Sequence, residues 1–460
     1  MGGAVLGCAL FLVLQAWLIH AGSRDYDEGV YWQSVRAMVR GEPLFQSVFA
    51  SQPPAFYYAL LPLYLVSHTL AALRITVLLF AIVGLGAAYV AGRLLAGPLA
   101  GLVALLLLAS SAIYIHEAAV LQADAPAVAM MLVAIALTIA ATREGARRAR
   151  ALAALAGLAF ALALGIKLLG AVALVPILLC FFLPRRQPIR MLAWWAAGLV
   201  GGLVLVLLPT IASPGAAFEQ LVTSHLAAGQ ATHGNLRGNL GLLIQLRQFP
   251  LDGLALLGAA IALWRRDFRI LVPLGWTIAS LIAILVYHPL FPHHLVLLPP
   301  ALALTAAVGF ADVALWRPVW TPVATAAVLA AGAIGLTVGV RDTQRGLIPN
   351  GHDRGVAAAI RAASKPGDFI ITDNPFAVAL ANRDIPGPIV DTSHQRAEAG
   401  QLTVADLDSA KDYYGAKLVV TDGGRLQSVP GFSDWLSAHF RQIGTVGKNA
   451  ALYEALQETD

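Results

Sequence analysis

Between Asp25 and Pro54 the chain reads DYDEGVYWQSVRAMVRGEPLFQSVFASQPP, with three acids, Asp25, Asp27 and Glu28, inside four positions. A carboxylate in such a place either caps a helix or takes a proton from a substrate. Further polar residues lie beside apolar runs: Gln52, Glu117, Asp124, Lys167, His225, His233, His288, His293 and His294. Ionisable groups next to hydrocarbon are costly and mark a function or a paired contact. His225 and His233 have no metal-ligand spacing, so zinc is not indicated.

The acids need an element to hold them. After Gly29, Tyr31, Val35, Met38 and Val39 recur at helical spacing, with Gln33, Ser34, Arg36 and Arg40 opposite and Gly41 as a stop. The spacing predicts a short amphipathic helix lying in a membrane interface, at the level of the lipid phosphates.

The membrane itself follows from composition. Of 460 residues, 58% are hydrophobic and 12% charged, with a mean hydropathy of +0.72, whereas soluble domains average about 25% charged. Apolar runs of about 20 residues, enough to span a bilayer, recur at 4–20, 71–92, 98–115, 125–141, 151–166, 168–183, 192–210, 240–263, 270–287, 295–314 and 320–340. The formal charge of +5 does not indicate nucleic acid, because the Arg residues sit in joints between spans. These are Arg93, Arg143/Arg147/Arg148/Arg150, Arg185/Arg186/Arg190, Arg265/Arg266/Arg269 and Arg317. With the N-terminus cytoplasmic, all of them fall on the cytoplasmic side, and the polar residues named above fall outside. The run 55–66 is too short to span and is interrupted by Pro62, which predicts a second interfacial or re-entrant segment. Cys8 and Cys180 lie in apolar runs and suggest neither a disulfide nor a metal site.

After Val340 the acids gather and spanning runs stop. DFIITD (368–373), GPIV (387–390) and KLVVTD (417–422) read as short strands, alternating with helices near 353–363, 375–382, 403–414 and 433–440. The expectation is a transmembrane catalytic domain over 1–340 and an external soluble α/β domain over 341–460. One-sided polar residues favour an enzyme at the outer surface. A lipid-linked sugar flippase or transporter, or a non-catalytic assembly scaffold, stays open; a transporter would place its polar residues nearer the midplane.

DEGVYW (27–32), followed by a helix and then Pro53-Pro54, resembles the first external loop of the GT-C superfamily of membrane glycosyltransferases. The similarity is to the group of the lipid A aminoarabinose transferase, the protein O-mannosyltransferases and RgtA/B/C/D-like enzymes. Leu121-Gln122-Ala123-Asp124, GIKLLG (165–170), HPLFPHHLVLLPP (288–300) and DNPFAVALANRDIPGPIVDTS (373–393) add to it. Many members carry an acid or Lys before the Pro pair, where this chain has Ser51-Gln52. The resemblance implies a mainly α, polytopic membrane helical bundle of about eleven spans, with interfacial helices in the first external loop and a small C-terminal α/β domain. It implies transfer of a monosaccharide from a polyprenyl-phosphate donor to a glycan, lipid or protein hydroxyl, at the outer face of a bacterial cytoplasmic membrane. In that reading Asp27 is the general base with Glu28 beside it, and Asp124 orients the acceptor, positions Asp27 or holds a divalent cation. Lys167, His293 and His294 bind the lipid phosphate, while Asp25, Tyr31 and Gln52 support the loop or the acceptor.

Overall fold

The computed structural model describes residues 2–20, 25–183, 188–231, 236–245, 248–346 and 351–456; Arg185, Arg186 and His233 lie outside the described residues. The protein is a mainly α polytopic membrane protein. Among the described residues, seven helices are long and apolar enough to cross a bilayer, eight if the bent pair Leu236–Gln245 and Phe249–Trp264 is one span. The expected count of eleven therefore rests on the shorter apolar helices Gly2–Leu18, Pro98–Ala109 and Leu168–Phe182.

Local chemistry explains where the helices break. The 98–115 run stops at Ala109 and resumes as Ala112–Glu117. Ser110 Oγ donates back to the Leu106 carbonyl (2.7 Å), and Ser111 Oγ donates to Gln248 Oε1 (2.8 Å). Such hydroxyls compete with the helical ladder. The 240–263 run bends by 101° ahead of Pro250, which cannot donate to a preceding turn. Lys167 ends the Ala146–Ile166 helix by taking extended backbone angles (φ −155°, ψ 130°), and a 3-10 turn, Leu168–Ala173, follows.

The chain divides into two compact units. The first comprises 1–21, 71–208 and 234–346. Its centre is the segment Pro292–Trp316, nearly all of it buried. The helix Leu298–Trp316 crosses Phe249–Trp264 so closely that a Cβ at Gly309 would overlap the Gly258 backbone. In hydrocarbon, where water does not drive helices together, such small residues allow the close packing that does.

The second unit comprises 22–70, 209–233 and 347–460. Its sheet has strands β1 (Ile370–Thr372), β2 (Leu418–Thr421), β3 (Phe440–Val446) and β4 (Ala450–Ala455). The order is β1-β2-β4-β3, with β1 and β2 parallel and the other pairs antiparallel. The predicted strands 368–373 and 417–422 are present, but GPIV forms a 3-10 turn, Gly387–Ile389. A Cβ on Gly387 would run into the Ser47 carbonyl and the Glu42 carboxylate. The hairpin of β3 and β4 carries little sequence signal, because β3 is exposed at most positions.

The helix predicted after the acids is Tyr26–Val39. It does not present a polar face to water. Gln33 and Ser34 are fully buried along with Val30, Tyr31 and Val35. Gln33 Nε2 donates to the Arg383 carbonyl (3.0 Å), and Arg36 and Arg40 both pair with Asp384 (2.9 and 2.7 Å). The segment 55–66 is a single helix, Pro54–Ser67, of 14 residues.

Candidate functional site

In the membrane unit, four of the predicted residues meet. Asp124 opens the helix Asp124–Ala141, where a carboxylate faces the positive end of the helix dipole. Lys167 Nζ lies 2.6 Å from Asp124 Oδ2, with both side chains buried. His293 and His294 sit on the 3-10 turn Pro292–Leu297, their rings 4.5 Å apart and nearly perpendicular. One ligand atom from each of Asp124, His293 and His294 falls within 4.8 Å of the others, a spacing that could hold a metal ion.

Two features bear on what this cluster could hold. The Lys167 ammonium already sits on the Asp124 carboxylate, and it would repel a cation placed there. The Phe291 N–H donates to His294 Nδ1 (3.2 Å), so the neutral imidazole carries its hydrogen on Nε2 and offers a donor there rather than a lone pair. An ammonium and an imidazole N–H are donors of the kind that can stabilise negative charge.

Tyr287, which spacing alone does not single out, packs beside the cluster. Its ring packs edge-on to His294 (5.1 Å). Its phenol hydroxyl is a hydrogen-bond donor. Asn239 secures this corner: its Nδ2 donates to the carbonyls of Ile284, Leu285 and Tyr287 at the end of the helix Leu271–Val286 (3.0, 3.2 and 3.2 Å). The signal available was Tyr287 standing directly before the HPLFPHH motif.

The acidic loop belongs to the second unit. Asp25 is the N-cap of Tyr26–Val39, its side chain accepting from the Asp27 N–H (3.0 Å). Asp27 is half-buried, Glu28 fully buried. Tyr31 packs edge-on against Phe56 (4.9 Å), and Gln52 is half-buried just before the helix that Pro54 begins. Burial raises the pKa of the Tyr57 hydroxyl; hydrogen bonding with Ser51 and the Gln52 backbone opposes that shift, and the Asp391 and Asp27 charges add to it more weakly.

A contact that sequence reasoning missed lies between Asp25 and Asp27. The Tyr26 hydroxyl accepts from the Thr392 N–H (2.6 Å) and donates to Asp391 Oδ1 (3.2 Å), while the Arg425 guanidinium covers its ring at 4.1 Å. Gly29 lies against Pro375 and Phe376, where a Cβ would overlap their backbone. The acids are thus anchored from both sides by residues over 340 positions away. His225 lies in this unit on Ser224–Ala231, while His288 and the buried Glu117 lie in the membrane unit.

Comparison with known proteins agrees with this architecture. Residues 51–211 match the family model described as dolichyl-phosphate-mannose-protein mannosyltransferase. No curated protein sequence matches the chain significantly. Among solved structures, apo ArnT from Cupriavidus metallidurans superposes with a TM-score of 0.73 at 16% identity, covering 98% of this chain and 97% of that one. The same protein bound to undecaprenyl phosphate gives 0.71 at 15% identity, with 99% and 98% covered. The Archaeoglobus fulgidus oligosaccharyltransferase AglB, in complex with an inhibitory peptide and a dolichol-phosphate, gives 0.55 at 13% identity, with 99% and 74% covered. The chain is a multi-span membrane protein with the GT-C fold. That fold is the architecture of membrane glycosyltransferases such as these.

Proposed function

We propose that this protein is an inverting glycosyltransferase that moves a monosaccharide from a polyprenyl-phosphate donor to an acceptor hydroxyl at the outer face of a bacterial cytoplasmic membrane. The observation that carries the reading is the group of buried Lys167, Asp124 and His294 with half-buried His293, whose donors suit a phosphate. In the reaction the acceptor oxygen attacks the anomeric carbon as the bond from that carbon to the phosphate oxygen breaks. The electron pair leaves with the lipid phosphate, so the leaving group needs no proton, unlike that of a glycoside. Lys167 and the two histidines stabilise that charge, and Tyr287 adds a hydroxyl donor. The acceptor proton goes to the Asp27 carboxylate.

Asp27 is favoured over Glu28 as the base because it is half-exposed while Glu28 is sealed, and a base must reach its substrate. The ArnT and AglB structures that contain undecaprenyl phosphate and dolichol-phosphate support a lipid-phosphate donor. Asp27→Asn should lower transfer by roughly 10²–10⁴-fold while co-purified polyprenyl lipid is retained. The measurement is transfer of radiolabelled sugar in detergent, where no gradient exists to drive transport. Near wild-type turnover in Asp27→Asn removes Asp27 from the chemistry. No transfer from any polyprenyl-phosphate sugar, with lipid still bound, favours a flippase.

A further inference from the structure

The helix Leu298–Trp316 begins just after His294 and has 19 residues, so it runs about 28 Å, close to the thickness of a hydrocarbon core. Its far end, Trp316, therefore lies at the opposite membrane boundary from the Lys167 cluster. There the Arg317 guanidinium stands 4.7 Å and the Arg265 guanidinium 5.5 Å from the Trp316 ring centroid, and Trp264 packs edge-on to the same ring at 4.7 Å.

The charges at this rim are not equivalent. Arg269, although exposed like Arg265 and Arg317, is paired with Asp267 (2.6 Å) and Asp312 (3.5 Å). Among the described residues, the side chains of Arg265 and Arg317 make no salt bridge or hydrogen bond, although Arg265 stands near enough to Asp312 to act on its charge. Both are exposed, and the surface continues as exposed apolar side chains: Trp264, Phe268, Val319 and Trp320. Orientation in the membrane requires only that positive charge be present in the joint. It does not require two guanidiniums from separate loops to pack against one indole. That arrangement holds two planar donor groups at a headgroup level, beside side chains suited to acyl chains.

We propose that Arg265, Arg317 and Trp316 form a binding site for the headgroup of an anionic phospholipid, in the leaflet opposite the Lys167 cluster. The guanidiniums would bond the phosphate oxygens, with Trp264 and Trp320 along the upper acyl chains. The site is independent of the glycosyltransferase reading.

Native mass spectrometry of the full-length protein, released from micelles doped with phosphatidylglycerol or phosphatidylcholine, tests this. The wild type should retain phosphatidylglycerol in preference to phosphatidylcholine. Arg265→Gln/Arg317→Gln should lower phosphatidylglycerol retention at least fivefold. Arg147→Gln/Arg150→Gln, which removes the same charge from another basic joint, should leave it unchanged. Arg265→Lys/Arg317→Lys keeps the charge and should still lose most of the lipid; it also serves if the Gln variant does not fold. Equal losses in both Gln variants, or full retention by the Lys variant, reduce the effect to net charge and overturn the site. Equal displacement by inorganic phosphate and by phosphatidylglycerol, at matched concentration, overturns a lipid as the occupant.

Discussion

Lys167 Nζ rests 2.6 Å from Asp124 Oδ2, across 43 residues of sequence, with both groups buried. Removing one partner of a buried pair leaves the other charge uncompensated, at a cost of about 3–5 kcal/mol. Lys167→Met should therefore lower the melting temperature in detergent markedly. Adding Asp124→Asn to it should recover much of the loss, because the orphaned charge goes too. Both variants should lose co-purified polyprenyl phosphate, which separates the binding role from the structural one.

The same pair bears on metals. A cation at Asp124, His293 and His294 would face the Lys167 ammonium and compete with the Phe291 N–H for His294 Nδ1. Prolonged dialysis against a strong chelator should leave sugar transfer within twofold of its starting value. Loss of activity restored by one divalent cation would overturn the assignment of an anion site.

Tyr26 tests how the acids are held. Tyr26→Phe leaves the buried Thr392 N–H without its acceptor, a cost of about 1–3 kcal/mol. Turnover should fall several-fold while the KM for donor stays near wild type, because the donor cluster belongs to the other unit. Gly29→Ala is harsher, since its Cβ meets backbone rather than a movable side chain. It should abolish turnover or folding, and limited proteolysis of the second unit tells which.

Tyr414 supplies a pH test. Its hydroxyl donates to Glu42 Oε2 (3.2 Å), and burial, followed by the Glu42 charge, pushes its pKa up to about 12. An unfolded tyrosine titrates near 10. The folded state therefore binds more protons between these values. The contribution is complete below about pH 10 and is lost as pH rises through about 12. Tyr414→Phe should make stability less steep in that window, measured by denaturant unfolding at several alkaline pH values.

The sequence by itself determined that the chain spans a membrane, where most of its helices run, and which residues could do chemistry. Those properties are local. Twenty apolar residues have few alternatives to a helix in hydrocarbon, where every backbone group must be bonded within the segment. A carboxylate or ammonium beside such a run stands out against the low charge density. The helix breaks were less legible, since Ser110 and Ser111 interrupt one only because Leu106 and Gln248 accept their hydrogens.

Tertiary structure decided which of those residues meet. Spacing could not reveal that Lys167 closes on Asp124, that Tyr287 joins His294, or that Asn239 holds that corner. It also misplaced the polar face of Tyr26–Val39. Gln33, Arg36 and Arg40 look solvated in sequence because their partners, Arg383 and Asp384, lie far along the chain. A polar side chain can be buried wherever a distant partner satisfies it, and one-dimensional spacing does not record distant partners.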